Sequence, residues 1–341
     1  GSSRPQGYDS LPMPQHILVT GAAGFIGAHA AAALARQGHH VTGVDNFNSY
    51  YEVQLKHDRV AALLQPLGVP CRNLDLCDAA APRALIAAGG FDTVLHLAAQ
   101  AGVRHSIQAP ADYIQSNLVG FANVVEACRE GGVGHLMYAS SSSVYGNRTD
   151  APFRETDRVD RPASLYAATK LANELIAHTY ASIHGLRSTG LRFFTVYGPW
   201  GRPDMAYFSF SRRIRAGQPI TLFAQGQLLR DFTFIDDIVD AICGLLQAPA
   251  PAETARESAI FNLGHHVPVK VVDFVRTLEA ALGLKARIEF GPMQPGDVPV
   301  TCADDSRLRE RIGDWAHTPL DAGLGRFARW IEAWEPQPPG A

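Results

Sequence analysis

The chain has 341 residues, 46% of them hydrophobic, with 30 Lys and Arg against 33 Asp and Glu and a formal net charge of −3 at pH 7. These values are ordinary for a globular protein. They offer no basic excess for nucleic acid and no acidic tail for a basic partner, and no apolar run reaches the roughly 18 residues of a membrane span. The length predicts one large domain with a smaller lobe. Five cysteines, at 71, 77, 128, 243 and 302, never form a CxxC pair, which predicts buried free thiols in a reducing cytoplasm.

Residues 1–14 carry Pro, Ser and Gly without periodicity, and Gly1-Ser2-Ser3 resembles a tag remnant. A disordered leader is expected there, and the fold is read from residue 15. Ile17–Thr20 is the first strand-like run. It enters Gly21-Ala-Ala-Gly24-Phe25-Ile26-Gly27 and then an alanine-rich helical stretch. Glycine lets a backbone turn this tightly and approach a ligand this closely. The helix that follows aims its N–H groups and positive dipole end at a phosphate. A second run, Val41–Val44, ends in Asp45, followed by Asn46. An acid there suits the ribose hydroxyls of NAD and repels the 2′-phosphate of NADP.

A third short run leads to Asp75-Leu76, the expected adenine edge. Val94–Ala98, His135–Ser140 and Ser188–Phe194 are the fourth to sixth runs. Strand–helix alternation of this kind predicts an α/β fold, a Rossmann-type doubly wound parallel sheet with helices on both faces. Ligands of such sheets sit at the carboxyl ends of the strands. From residue 197 the rhythm loosens, with Pro199, Gly201 and Pro203 marking a loop. The expected division is an NAD-binding Rossmann domain over 15–196, a smaller α/β substrate lobe over 197–335, and a disordered Pro-rich tail over 336–341.

Tyr166 and Lys170 lie four apart on a helix predicted over Ser164–Ile183, so both face the same way. A tyrosine ordinarily ionises near pH 10. An adjacent ammonium and a positive nicotinamide ring are expected to lower that and provide a base near neutrality. Only four basic residues are lysines, at 56, 170, 270 and 285, so this spacing stands out. The fifth strand runs into Ser140-Ser141-Ser142-Ser143-Val144-Tyr145-Gly146. A hydroxyl there can bridge the tyrosine and a sugar oxygen. Serines also satisfy turn backbone, but four in a row at a strand end exceed what a turn requires.

This arrangement resembles the extended short-chain dehydrogenase/reductase family, and within it the nucleotide-sugar epimerases, most closely the UDP-glucuronate 4-epimerases. The matching segments are Gly21–Gly27, His96–Arg104, Ser116–Gly120, Ser141 with Tyr166 and Lys170, Leu191–Pro199, Gly201–Ala206, Arg230–Asp237 and Gln294–Pro299. The resemblance implies that Ser141 is the catalytic hydroxyl, Tyr166 the base and Lys170 its partner. It places Leu97, Ala98 and Ala99 on the nicotinamide side of NAD, and has Asn117 support the cofactor site. It implies that Arg230 clamps the UDP diphosphate through its planar guanidinium. Leu222 and Phe223 would then flank the uracil, and Asp297 would meet the nucleotide ribose or hold the segment that does.

Departures from the relatives bear on the reaction. Sugar-nucleotide 4,6-dehydratases carry Thr-Asp-Glu at the positions of Ser141-Ser142-Ser143, and uronate decarboxylases keep a Glu at the position of Ser143. This chain has hydroxyls only, which retains reversible C4 oxidation without the extra acid. Galactose-type epimerases carry Asn where this chain has Thr195, which favours a uronate substrate. The 4-keto intermediate of a uronate is a β-keto acid and loses CO₂ readily when the carboxylate bond aligns with the carbonyl π system. Ser142, Ser143 and Thr195 are expected to hold the carboxylate out of that alignment, at about 1.5–3 kcal/mol per charge-assisted hydrogen bond. Arg202 would add charge recognition, and Arg104 divides evenly between loop structure and substrate contact. The expected function is therefore interconversion of UDP-glucuronate and UDP-galacturonate. UDP-glucose 4-epimerisation, uronate decarboxylation and non-catalytic NAD binding are the alternatives.

Other features read blandly. Arg212-Arg213-Ile214-Arg215 is a solvated helix face, and Asp236-Asp237 cap a helix beginning at Ile238. His39-His40 and His265-His266 lack metal-ligand spacing with any acid or cysteine, so no metal site is expected. Helices 112–130 and 166–183 carry wide apolar faces, and relatives dimerise through this pair, which implies a homodimer.

Overall fold

The computed structural model describes residues 13–248, 258–293 and 298–335. Seven strands form one parallel sheet: β1 His16–Thr20, β2 His40–Asp45, β3 Cys71–Asn73, β4 Thr93–His96, β5 His135–Ser141, β6 Ser188–Phe193 and β7 Ser258–Leu263. Their spatial order is β7-β6-β5-β4-β1-β2-β3. Ile17, Leu18 and Val19 are at most 1% exposed, because a parallel strand is covered on both faces and must be apolar throughout. Strand order reverses beside β1, whose neighbours are β2 and β4. The crevice outside that reversal is where such sheets bind ligands.

Helices cover both faces: α1 Phe25–Arg36, α2 Val53–Arg59, α3 Ala80–Gly89, α4 Gly120–Glu130 and α5 Leu165–His184. Ala28, Ala30, Ala31 and Ala32 bring α1 against the sheet and are essentially unexposed. Gly27 admits no larger residue, since a Cβ there would lie 2.0 Å from the Gly21 carbonyl oxygen. Gly21 itself has φ +69°, a left-handed conformation that favours glycine. The Ser164 side chain accepts from the Ala167 N–H and starts α5, one residue inside the predicted bound. Ahead of α4 the chain is already helical over Pro110–Tyr113 and makes a π turn over Ile114–Val119.

From Thr195 onward, among the described residues, come three two-stranded ribbons and further helices: α6 Ala206–Arg215, α7 Ile235–Gln247, α8 Val271–Leu282, α9 Ser306–Ile312 and α10 Leu320–Trp334. The lobes are less separate in sequence than the change of rhythm implies. β7 leaves the second half of the chain and pairs with β6 in the main sheet, and α7 packs on α1. One apolar core runs from Ile17 and Leu34 through Leu263 to Phe327 and Ile331. A second cluster, including Phe121, Val124 and Tyr138, fills the other face of the sheet.

The helix expected from Ile238 begins at Ile235 instead, with Phe234 as its N-cap residue. Phe232–Phe234 is a strand paired with Thr195–Tyr197, so the helix starts as soon as that pairing ends. Asp236 and Asp237 therefore lie in the first turn. Asp237 accepts from the N–H and hydroxyl of Thr318, both at 2.7 Å, and Asp236 pairs with Arg326. The leader through residue 12 and the tail from 336 lie outside the described residues. Among the described residues no helix is long and apolar enough to cross a membrane.

Candidate active site

A cavity of about 880 Å³ opens at the carboxyl ends of the strands, between the main sheet and the second lobe. Gly21, Gly24, Phe25, Ile26 and Gly27 line one end. The glycine turn is closed by the Gly24 N–H donating to the Gly21 carbonyl at 2.9 Å. No side chain caps α1 and no acid stands in its first turn, so its N–H groups and dipole favour an anion. Asp45 lines the same end beside Asn46. Its carboxylate accepts from the Ala23 N–H at 3.1 Å and the Phe47 N–H at 2.8 Å, which holds it rigid while each oxygen keeps a further lone pair. Asp75 accepts from the Cys77 N–H. With Leu76, Leu97, Ala98 and Ala99 it lines the wall of this end. An uncapped helix terminus donating to a pyrophosphate and a fixed carboxylate accepting from a ribose together match what NAD requires.

Asn117, expected to support the cofactor site, stands behind the residues that line the cavity. It is 1% exposed. Its amide accepts from the Gln100 N–H at 2.8 Å and donates to the Gln100 carbonyl and Thr169 hydroxyl. Both ends of its amide thus hold the loop after β4 to α5, so it positions the site from behind.

Ser141 ends β5, and Ser142–Tyr145 follow as a 3₁₀ turn. The Ser141 hydroxyl accepts from the Ser143 N–H and donates to the Ser143 hydroxyl, each at 3.1 Å. Tyr166 and Lys170 project from one face of α5 into the same cavity. Lys170 is 3% exposed, and its Nζ donates to the Ala139 carbonyl at 3.0 Å. Burial lowers its pKa to about 8. Tyr166 departs from expectation: in the protein alone, burial raises its phenol above the ordinary value. The opposing influences are a hydrogen bond with Ser141 and the positive charge of Arg202. The ammonium of Lys170 is directed to the Ala139 carbonyl and is not among the influences that lower the phenol in the protein alone.

At the other end, Thr195, Arg202, Leu222, Phe223 and Arg230 line the cavity with Ser142 and Ser143. Thr195 is anchored by its N–H donating to the Asp231 carbonyl. Arg104 lies over the Phe223 ring at 5.4 Å, and Arg230 donates to the Leu229 carbonyl at 2.9 Å. Arg202 pairs with Asp204 at 3.1 Å. Asp297 lies outside the described residues.

Several residues in or behind the cavity wall escaped the sequence reading. Tyr50 donates to Asp204 at 3.3 Å, a bridge between the segment after β2 and the segment after Tyr197. Lys56 is 4% exposed and lines the cavity; its Nζ donates to the carbonyl and side-chain oxygens of Asn48. Arg59, fully buried, donates to the carbonyls of Ala23, Trp200 and Gly201 and to the Tyr51 hydroxyl. It thereby ties the glycine turn to the loop carrying Arg202. The rarity of lysine singles out Lys56, but nothing local announces Arg59 or Tyr50. The His265-His266 pair also gains partners that its spacing does not reveal. His266, Asp305 and His317 place their ligand atoms within 4.8 Å of one another.

The sequence pattern of the NAD dependent epimerase/dehydratase family matches residues 17–264, and the chain belongs to that family. UDP-glucuronate 4-epimerase 3 of Arabidopsis thaliana is 48% identical over 326 residues, covering 92% of this chain and 76% of the plant protein. Protein CapI of Staphylococcus aureus is 44% identical over 330 residues, covering 92% of this chain and 97% of its own. The solved structure of UDP-glucuronic acid 4-epimerase from Bacillus cereus, in complex with UDP-glucuronic acid and NAD, matches with a TM-score of 0.85. Its sequence is 31% identical, and the match covers 94% of this chain and 99% of that one.

Proposed function

We propose that the protein interconverts UDP-glucuronate and UDP-galacturonate with tightly held NAD. The observation that carries this reading is the convergence of Ser141, Tyr166 and Lys170 on one cavity, with hydroxyls at Ser142 and Ser143 where an added acid would permit dehydration or decarboxylation. The relatives and neighbours whose names specify UDP-glucuronate epimerisation support the same substrate.

Bound NAD supplies reversible hydride acceptance at C4 of the sugar. Tyr166 Oη takes the O4 proton and later returns it, and the Ser141 hydroxyl bridges phenol and O4. Lys170, charged below about pH 8, adds positive charge to the cavity that Tyr166 enters, and the nicotinamide ring would add the further charge that favours the phenolate. Arg230 holds the diphosphate while the 4-keto sugar turns to present its other face, so C4 alone inverts. Ser142, Ser143 and Thr195 hold the carboxylate against decarboxylation. The Tyr50–Asp204 contact closes the cavity on the side of Arg202. The cofactor thus belongs to the part read as 15–196 and the sugar nucleotide mainly to 197–335.

The chain acts as a homodimer through helices 112–130 and 166–183. Exposed Ile114, Val119, Leu175 and Ile183 support this, because apolar side chains gathered on two helices favour association. Leu175→Glu should halve the mass seen by light scattering, and an unchanged mass would refute the interface. A reducing cytoplasm suits five free cysteines.

The test of function is incubation with UDP-glucuronate, without added cofactor, followed by proton NMR of the anomeric signals. UDP-galacturonate without UDP-pentose is the expected product. Pentose as the main product would make the protein a decarboxylase, and turnover of UDP-glucose alone would make it a neutral-sugar epimerase.

A further inference from the structure

Away from the cavity, three segments of the second lobe converge: His265-His266 after β7, Asp305 before α9, and His317 before α10. Asp305 Oδ2 lies 3.3 Å from His266 Nδ1 and 3.9 Å from His317 Nε2. We propose that His266, Asp305 and His317 form a site for a zinc-class divalent cation, gated by Arg309.

The donor set carries the argument. Arg309 donates from Nε to Asp305 Oδ2 at 2.9 Å and directs its NH2 group at both His266 Nδ1 and His317 Nε2, each at 3.3 Å. A guanidinium has donors and no acceptor, so in the tautomers that accept these bonds both ring nitrogens turn lone pairs toward it. Two imidazole lone pairs and one carboxylate oxygen therefore point at one cationic group. That is a set of ligands zinc and its neighbours accept.

Spacing agrees. Tetrahedral zinc with bonds of about 2.0–2.1 Å requires ligand atoms about 3.3 Å apart. The His266–Asp305 edge already has that length, and the His317–Asp305 edge is 0.6 Å longer. Trp315 Nε1 donates to the same Asp305 oxygen at 3.1 Å and orients the carboxylate from behind.

The imidazoles are also short of hydrogen-bond partners. His265 Nε2 and His317 Nδ1 are buried with no hydrogen-bond partner, and their rings lie 4.0 Å apart. Arg309 is the removable element, because its side chain is 37% exposed and can swing into water. A cation in its place would bind the three segments together. The effect would extend toward the cavity, since Asp231 holds the N–H groups of His265 and His266 and directly follows Arg230 in the chain.

The test uses the full chain, stripped with a chelator and titrated with zinc against a chromogenic indicator. One equivalent should bind. Arg309→Ala should tighten binding, and His266→Ala or His317→Ala should weaken it, each by about tenfold or more. Zinc should raise the thermal midpoint of chains with the triad intact and not of the histidine variants. His266 is partly exposed, so its variant remains informative should His317→Ala fail to fold. Equal affinity in parent and His266→Ala chains would overturn the site. An Arg309→Ala chain that binds no tighter than the parent would overturn the gate.

Discussion

Replacing Arg192 with methionine should cost the protein about 3–5 kcal/mol, the penalty of leaving one member of a buried ion pair alone. Arg192 on β6 and Glu174 on α5 are 3% and 7% exposed. They meet through two parallel bonds, Nε to Oε1 at 2.9 Å and NH2 to Oε2 at 2.8 Å. Ser140 donates to the same carboxylate, and Arg192 donates to the Tyr145 hydroxyl at 3.0 Å. Without the guanidinium, Glu174 keeps one neutral donor behind the strand that carries Ser141. At about 2 °C per kcal/mol for a chain of this size, the thermal midpoint should fall by roughly 6–10 °C.

The double variant Arg192→Met, Glu174→Met should recover most of that loss, because it removes both desolvated charges together. A residue of about 1 kcal/mol should remain for the stranded Ser140 hydroxyl. Tyr145 loses little, since its hydroxyl keeps Asn262 as acceptor at 2.6 Å. Thermal unfolding followed by circular dichroism at one scan rate reads both values. A single variant that loses under about 1 kcal/mol, or a double variant no better than the single, would refute the reasoning.

Three further outcomes follow from the site. Tyr166→Phe should retain NAD yet lower turnover by about 10²–10⁴-fold, the usual worth of a positioned general base; near-parental turnover by the NMR assay would remove Tyr166 from that role. Lys170 is held near 8 against an ordinary 10.5, so between those values the unfolded chain holds a proton the folded chain has released, and stability rises with pH. At pH 7 the charged form is therefore a cost, and Lys170→Met should be inactive yet more stable than the parent, with the advantage fading toward pH 10.5; thermal midpoints showing it less stable at pH 7 would contradict the buried cation. Ser143→Ala and Thr195→Val should each raise the share of UDP-pentose formed from UDP-glucuronate, and unchanged NMR product ratios would sink the carboxylate-holding argument.

What the sequence by itself determined lies within a few residues along the chain. Gly21, Gly24 and Gly27 allow a tight turn because a Cβ at any of them would meet backbone within 3 Å, Ser164 starts a helix, and four-residue spacing puts Tyr166 and Lys170 on one face. Apolar runs marked six strands, and the serine run marked the end of β5. Such features depend on backbone sterics and helical period, which any chain with these residues shares.

Only the tertiary structure decided the rest. β7 comes from residues 258–263 because β6 offers an open edge, which no local pattern in that segment declares. Asn117 turns its amide to Gln100 and Thr169, so it supports the cofactor site without facing it. Arg59 joins the glycine turn to Trp200 and Gly201, and Tyr50 reaches Asp204, across separations that spacing cannot express. His266 meets Asp305 and His317 in the same way. The proton affinities of Tyr166 and Lys170 were equally hidden, because desolvation is set by everything packed around a group and not by its neighbours in sequence.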